Sequence, residues 1–153
     1  MNKETKSALL QFDERGRFET PSEFNHAKLK NRVIKLTEDL RTHFGFGFRI
    51  DDQVQDASFY GDILIPVELI KEPKQDVGYS IRISNYGSFA TINFQDEYSV
   101  QTNSDIRDIL RKHDFLFLDS AQLDEVYDGQ FEEFKKILGG VLPTWYIRYF
   151  DYL

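Results

Sequence analysis

The sequence between positions 79 and 94, YSIRISNYGSFATINF, predicts a β-hairpin. Apolar and polar residues alternate in 79–84 and again in 90–94, which is the period of a strand with one buried face. The segment between them contains Asn85 and Gly87, two residue types that tight turns favour. The residues expected on the core face are Tyr79, Ile81, Ile83, Ala90, Ile92 and Phe94.

A long helix is predicted on the N-terminal side of this hairpin. Thr20 is placed to cap it, Pro21 suits the first helical position, and Glu23 can return a hydrogen bond to the cap. The apolar residues that follow recur at helical spacing and form one stripe: Leu29, Val33, Leu36, Leu40 and Phe44. Gly45 then suits a left-handed helix end.

Two more extended segments are expected around the hairpin. Residues 63–70 read as one strand interrupted by Pro66, which lacks an amide proton and therefore implies an edge strand or a bulge. Residues 115–118, Phe-Leu-Phe-Leu, predict a short buried strand.

Two shorter helices and a final strand complete the prediction. One helix carries Ile106, Ile109 and Leu110 behind a start at 103–105, and the other runs from Glu132 to the glycines at 139–140. The closing residues 145–153, WYIRYFDYL, are apolar on both faces if extended, which predicts a central strand covered on both sides. The sequence thus predicts a single α+β domain over residues 1–153 with a mixed or antiparallel sheet, in which residues 1–19 are loosely ordered.

The charge of the chain is unevenly distributed. Residues 1–50 contain 7 acidic and 10 basic residues, a net of +3, whereas residues 51–153 contain 19 and 9, a net of −10. A negative field repels nucleic acid and anionic lipid and attracts basic proteins. With no cysteine and no long apolar segment, we expect a cytoplasmic protein without disulfides or a membrane partner.

No catalytic signature is present, and we expect no cofactor and no metal ion. The three histidines lie far apart, and there is no phosphate-binding glycine loop or nucleophile elbow. Two acidic groups remain as candidates: Asp51, Asp52, Asp56 and Asp62, and Asp119, Asp124, Glu125 and Asp128. They are open to three interpretations: solvated loops, a catalytic carboxylate pair, or a recognition surface for a basic partner.

Arg148 is the most unusual single residue, because it lies in a segment that otherwise looks buried. A buried guanidinium needs a carboxylate or aromatic faces to offset its desolvation. One interpretation is an internal ion pair, with Asp151 or an acid on a strand, stacked on aromatic neighbours. The other is a pocket arginine that binds an anion.

The closing segment 139–153, GGVLPTWYIRYFDYL, resembles the ending of small acidic bacterial immunity proteins of contact-dependent growth inhibition and related polymorphic toxin systems. The resemblance implies a cytoplasmic protein that binds one cognate toxin domain and blocks it without catalysis. Many delivered toxins are nucleases with basic active sites, which an acidic surface would complement. Phe59, Tyr60 and Tyr127 neighbour the acidic groups and are the predicted aromatic anchors. The alternatives are a small hydrolase that uses a carboxylate pair and a plain structural or regulatory module.

Overall fold

The predicted hairpin lies in the middle of a five-stranded sheet in the computed structural model, which describes residues 1–153. The strands are β1 (Arg49–Asp51), β2 (Phe59–Leu64), β3 (Ser80–Ser84), β4 (Phe89–Ile92) and β5 (Leu116–Phe117). They are ordered β1-β2-β3-β4-β5; the first four are antiparallel neighbours and β5 runs parallel to β4, so the sheet is mixed. Ile81 pairs with Ile92 and Ile83 with Ala90, which confirms the hairpin.

Helices cover both faces of this sheet and make the chain an α+β domain. They are α1 (Lys3–Gln11), α2 (His26–Phe44), α3 (Val100–Lys112), α4 (Ser120–Leu123) and α5 (Trp145–Phe150). A cluster of 19 buried apolar residues, here the α2 core, joins α2 and α3 to one face. A second cluster of 11, here the α5 core, joins α1, α4 and α5 to the other.

The helix predicted from Thr20 begins later than expected. Asn25 is its N-cap, and its side chain accepts a hydrogen bond from the backbone amide of Lys28 at 3.0 Å. The predicted end is confirmed, since Gly45 adopts a left-handed conformation with φ 73°. A shorter helix, α1, precedes it within residues 1–19, the segment expected to be loosely ordered, and buries Leu9 completely.

The strands around the hairpin differ from the prediction in extent and position. β2 ends before Pro66, and Val67–Leu69 form a single 3₁₀ turn, so the proline interrupts no strand. β5 lies at the edge of the sheet. It is not the buried strand predicted, since Leu116 is 45% exposed. Phe94, predicted on the core face, follows β4 with φ 60° and is exposed.

Both shorter helices also differ. α3 begins at Val100 behind a Ser99 cap, earlier than the start predicted at 103–105. The helix predicted after Glu132 is only a 3₁₀ turn, Phe134–Lys136, that ends well before the glycines.

The largest correction concerns residues 145–150, which form helix α5 and not the central strand predicted. The Thr144 side chain caps this helix by accepting the Ile147 amide at 3.3 Å. Rings four residues apart lie beside each other in pairs: the centres of Trp145 and Tyr149 are 6.0 Å apart in a stacked arrangement, and those of Tyr146 and Phe150 are 5.8 Å apart and tilted. The segment looked apolar on both faces because one side of a helix enters the α5 core while another packs on β3.

Candidate functional site

The first predicted acidic group lies at the β1 edge of the sheet. Asp51 ends β1 and is exposed, and it pairs across the ladder with Asp62 on β2. Asp62 is already neutralised within the chain: its two carboxylate oxygens accept hydrogen bonds from Arg82 Nε and Nη2 at 2.9 and 3.0 Å. Asp56 is exposed in the loop between the strands, with φ 53°.

Asp52 belongs to a small cleft beside the start of α2. Its carboxylate accepts a hydrogen bond from the Tyr60 hydroxyl at 3.0 Å, and the imidazole of His26 lies 5.4 Å from the Tyr60 ring. Burial, reinforced by the bond to Asp52, raises the pKa of Tyr60, so this phenol stays protonated at neutral pH. The cleft, which Asp56 also lines, has a volume of only about 180 Å³.

The second predicted acidic group is largely engaged in intramolecular contacts. Asp119 is the N-cap of α4 and accepts the Ala121 amide at 2.9 Å. Glu125 pairs with the amino group of Met1. Asp124 is exposed and forms no ion pair.

Asp128 links the N-terminal helix to α5. Its carboxylate pairs with the Lys6 ammonium and accepts a hydrogen bond from Trp145 Nε1 at 3.1 Å. The bond from Lys6, more than that from Trp145, holds the pKa of Asp128 below its usual range against the opposing effect of partial burial. This carboxylate therefore helps to fasten α1 to the rest of the fold.

The two acidic groups do not form one continuous surface. Asp51 lies on β1 at one edge of the sheet, whereas Asp119 follows β5 at the opposite edge. Among the predicted carboxylates, Asp51, Asp56 and Asp124 are the exposed ones that form no ion pair.

The three predicted aromatic anchors are buried in the protein itself. Phe59 packs under the Arg82 guanidinium, whose Cζ lies 3.9 Å from the ring centre. Tyr60 belongs to the α2 core and Tyr127 to the α5 core. Apolar rings next to acidic loops were expected at the surface, but the core takes them because each buries a large apolar area. Each is at most 5% exposed, so these rings offer little contact area to a partner.

Several exposed apolar residues lie elsewhere on the protein, and three of them on two neighbouring segments were missed by sequence reasoning. An antiparallel bridge between Val126 and Thr144, with the Tyr127 amide donating to the Pro143 carbonyl at 2.8 Å, holds two irregular segments side by side. Val126, Val141 and Leu142 on these segments are 52%, 67% and 56% exposed. We call these three residues, with the neighbouring Asp124 and Glu125, the Val126 surface. The sequence contained one indication of this exposure: an apolar Val-Leu pair follows two glycines, in a stretch without the helical or strand periodicity of a buried element.

Arg148 forms the internal ion pair that one interpretation expected, but with a different partner. Its Nε donates to Asp13 Oδ1 at 2.9 Å, and its side chain and that of Asp13 are 0% and 1% exposed. The other oxygen of Asp13 accepts from the Tyr127 hydroxyl at 2.6 Å and the Gln130 amide at 3.0 Å. Four aromatic rings surround the guanidinium: Tyr86, Phe131, Phe134 and Tyr149. Arg148 therefore forms part of the packed interior of the protein.

Neither a metal-binding cluster of side chains nor a membrane-spanning helix is found among the described residues. No group of three or more histidine, aspartate or glutamate side chains is arranged to hold a metal ion. None of the helices combines the length and the apolar character that a bilayer crossing requires.

Comparison with known proteins adds no relative to this description. No protein family, no curated protein and no solved structure matches the chain. Its function is therefore inferred from its own residues and surfaces.

Proposed function

We propose that this protein is a cytoplasmic immunity protein that binds and blocks a cognate, basic bacterial toxin domain of the nuclease class. The observation that carries the proposal is the Val126 surface, where exposed apolar side chains lie beside exposed carboxylates. Apolar patches rimmed by polar residues are typical of protein–protein interfaces. The resemblance of segment 139–153 to immunity proteins points to the same part of the chain, since Val141 and Leu142 belong to it.

The charge of the chain supports the same class of partner. Its net charge is −7 at pH 7, which repels nucleic acid and attracts a basic protein. In such a complex the carboxylates would speed the encounter and select the partner, and the apolar side chains would supply most of the affinity. The proposed interface therefore differs from two continuous acidic patches, because it combines exposed apolar side chains with the neighbouring carboxylates of Asp124 and Glu125.

The proposal is tested by co-expression with the basic domains encoded beside this gene, with cell growth as the measurement. We expect one of these domains to be toxic alone, to be neutralised by this protein, and to form a stoichiometric complex with it. No toxic neighbour neutralised by this protein would contradict the proposal.

The surface itself is tested with charged substitutions. Val126→Glu with Leu142→Glu should weaken the complex about 100-fold or more, because two central apolar contacts are lost. The matched control is Val67→Glu, which changes an exposed valine (63% exposed) on the 3₁₀ turn after β2. Equal binding by the double variant and the control would exclude the Val126 surface while leaving the immunity function open.

The hydrolase alternative has one observation in its favour, the shared cleft of Asp52, Asp56 and His26. Its volume of about 180 Å³ lies below the roughly 300–1,000 Å³ of ordinary ligand sites. Hydrolysis of glycoside or ester substrates that disappears in Asp52→Asn and Asp56→Asn would favour it over the immunity function.

A further inference from the structure

A basic groove runs along α2 on the side of the molecule that carries α2 and α3. Two adjoining depressions form it, one of about 550 Å³ and one of about 420 Å³, and Lys28, Arg32 and Ser88 line both. The first is also lined by Lys35, Lys112, His113 and Asp114. The wall of the second contains Phe12, Phe24 and Leu29, with Glu23 at its edge. We call the combined surface the α2 groove.

Arg32 forms the fixed floor of this groove. Its Nη1 donates to Ser88 Oγ at 2.8 Å, and its Nη2 donates to the backbone carbonyls of His113 and Asp114 at 3.3 and 3.2 Å. Its guanidinium also lies 4.4 Å from the centre of the Phe115 ring. This arginine is held by the fold, so the groove keeps its shape and its positive potential without a ligand.

The positive charges of Lys28 and Lys35 are not paired with an acidic residue of the protein. Both are exposed, and neither takes part in an ion pair. They lie seven residues apart on one helix, so their Cα atoms are separated by two turns, about 10.5 Å along the axis. The nearby Lys112 differs, because its ammonium lies 3.1 Å from Asp39.

The placement of Lys28 also argues against a purely structural role. It lies in the first turn of α2, which contains no acidic residue. A positive charge at this end of a helix opposes the helix dipole and lowers stability. Positions that break a local rule of stability are where functional residues are expected.

We propose that the α2 groove binds an acidic segment of a partner protein through Lys28 and Lys35. Two carboxylates about 10 Å apart, as on residues two helical turns apart, would match the two ammonium groups. An apolar side chain of the segment beyond the carboxylate at Lys28, on the side away from Lys35, would pack on the Phe24 and Leu29 wall. A long nucleic acid fits less well, since the phosphates beyond the groove would meet a chain of net charge −7. This inference is independent of the immunity function.

The probe is a short helical peptide with two glutamates seven positions apart and leucines flanking this pair on both sides, titrated into the isotope-labelled protein and followed by NMR. We expect shifts confined to the amides of the α2 groove. The peptide with both glutamates replaced by glutamine should bind about tenfold more weakly or worse.

Two variants locate the contact. Lys28→Glu with Lys35→Glu should abolish the shifts, whereas Lys30→Glu, a change of an exposed lysine outside the groove on the same helix, should leave the dissociation constant within about twofold. Thermal unfolding at or above the temperature of the parent protein verifies the fold of both variants, since a glutamate at position 28 favours the helix dipole.

Three results would overturn the proposal. The first is no shift with the peptide at millimolar concentration, and the second is equal binding of the glutamine peptide. The third is tighter binding of an RNA oligonucleotide or of inorganic phosphate at the same residues, which would assign the groove to another class of anion.

Discussion

The two apolar cores of this protein are built in different ways. In the α2 core, 5 of 19 residues are aromatic and most of the rest are aliphatic side chains on regular helices and strands. In the α5 core, 8 of 11 are aromatic, and several come from irregular segments. Only the second encloses an ion pair, Arg148 with Asp13. A periodic core is held mainly by apolar burial, whereas a core of irregular segments also needs polar contacts to fix their positions.

The strongest test of this difference is removal of the guanidinium by Arg148→Ala. The carboxylate of Asp13 would remain buried without its charged partner, and breaking a buried pair in this way costs about 3–5 kcal/mol of unfolding free energy. Urea unfolding, with near-UV circular dichroism to report the aromatic packing, measures the loss.

The double variant Asp13→Asn with Arg148→Met separates the charge effect from the loss of packing. Because no charge is then left without a partner, we expect it to be more stable than Arg148→Ala alone. A loss below about 1 kcal/mol for Arg148→Ala would show that the ion pair does not organise the α5 core.

A smaller effect is expected from Gly129→Ala beside the same pair. A Cβ atom there would lie 2.2 Å from Asp13 Oδ2 and 2.5 Å from Tyr127 Cζ. Overpacking of this kind costs about 1–3 kcal/mol. Gly47→Ala is the matched control, since its Cβ would meet nothing within 4 Å. Chemical denaturation of the two variants compares them, and equal stabilities would contradict the tight packing around Asp13.

Helix capping should affect the two sides of the sheet alike. Thr144→Ala removes the cap of α5, and Ser99→Ala removes the cap of α3, whose hydroxyl accepts the Thr102 amide at 3.0 Å. Each substitution should lower the unfolding free energy by about 1 kcal/mol. Thermal unfolding measures both. No loss for Thr144→Ala would be inconsistent with a helix at 145–150.

The α2 core could be predicted from the sequence because its signals are local. The stripe from Leu29 to Leu40 and the apolar positions of the hairpin from Tyr79 to Ile92 repeat within a few residues, and these positions are buried as expected. α5 could not be predicted in the same way. Apart from Arg148, its six residues have apolar or aromatic side chains on every side, and a short run of that kind fits a strand or a helix equally well.

The partners of the charged residues could not be predicted either, because the pairs are distant in sequence. Asp13 and Arg148 are 135 positions apart, and Lys6 and Asp128 are 122 apart. Counting acids along the chain therefore located the acidic loops but overestimated their free charge. The apolar residues of the Val126 surface follow neither a helical nor a strand periodicity in the sequence. Only the fold therefore shows that they are exposed.

The smallest expected effect concerns the ion pairs at the surface of the α2 core, whose contribution to stability should be lost in acid. Asp39 accepts from His113 Nε2 at 2.8 Å and lies 3.1 Å from the Lys112 ammonium. The bond from His113, followed by that from Lys112, lowers the pKa of Asp39 in the folded state. The unfolded chain, with an aspartate pKa of about 3.9, then binds this proton more readily than the folded one. The stabilisation is therefore complete above that pH and is lost as the pH falls through the lower folded value.

The test is urea unfolding of two variants from pH 6 to pH 2. Asp39→Asn should flatten the acid limb of the curve of stability against pH. Asp124→Asn, which changes an exposed aspartate without an ion pair, should leave this limb unchanged. If both variants keep the acid limb of the parent protein, these surface pairs contribute nothing to holding α2 against α3.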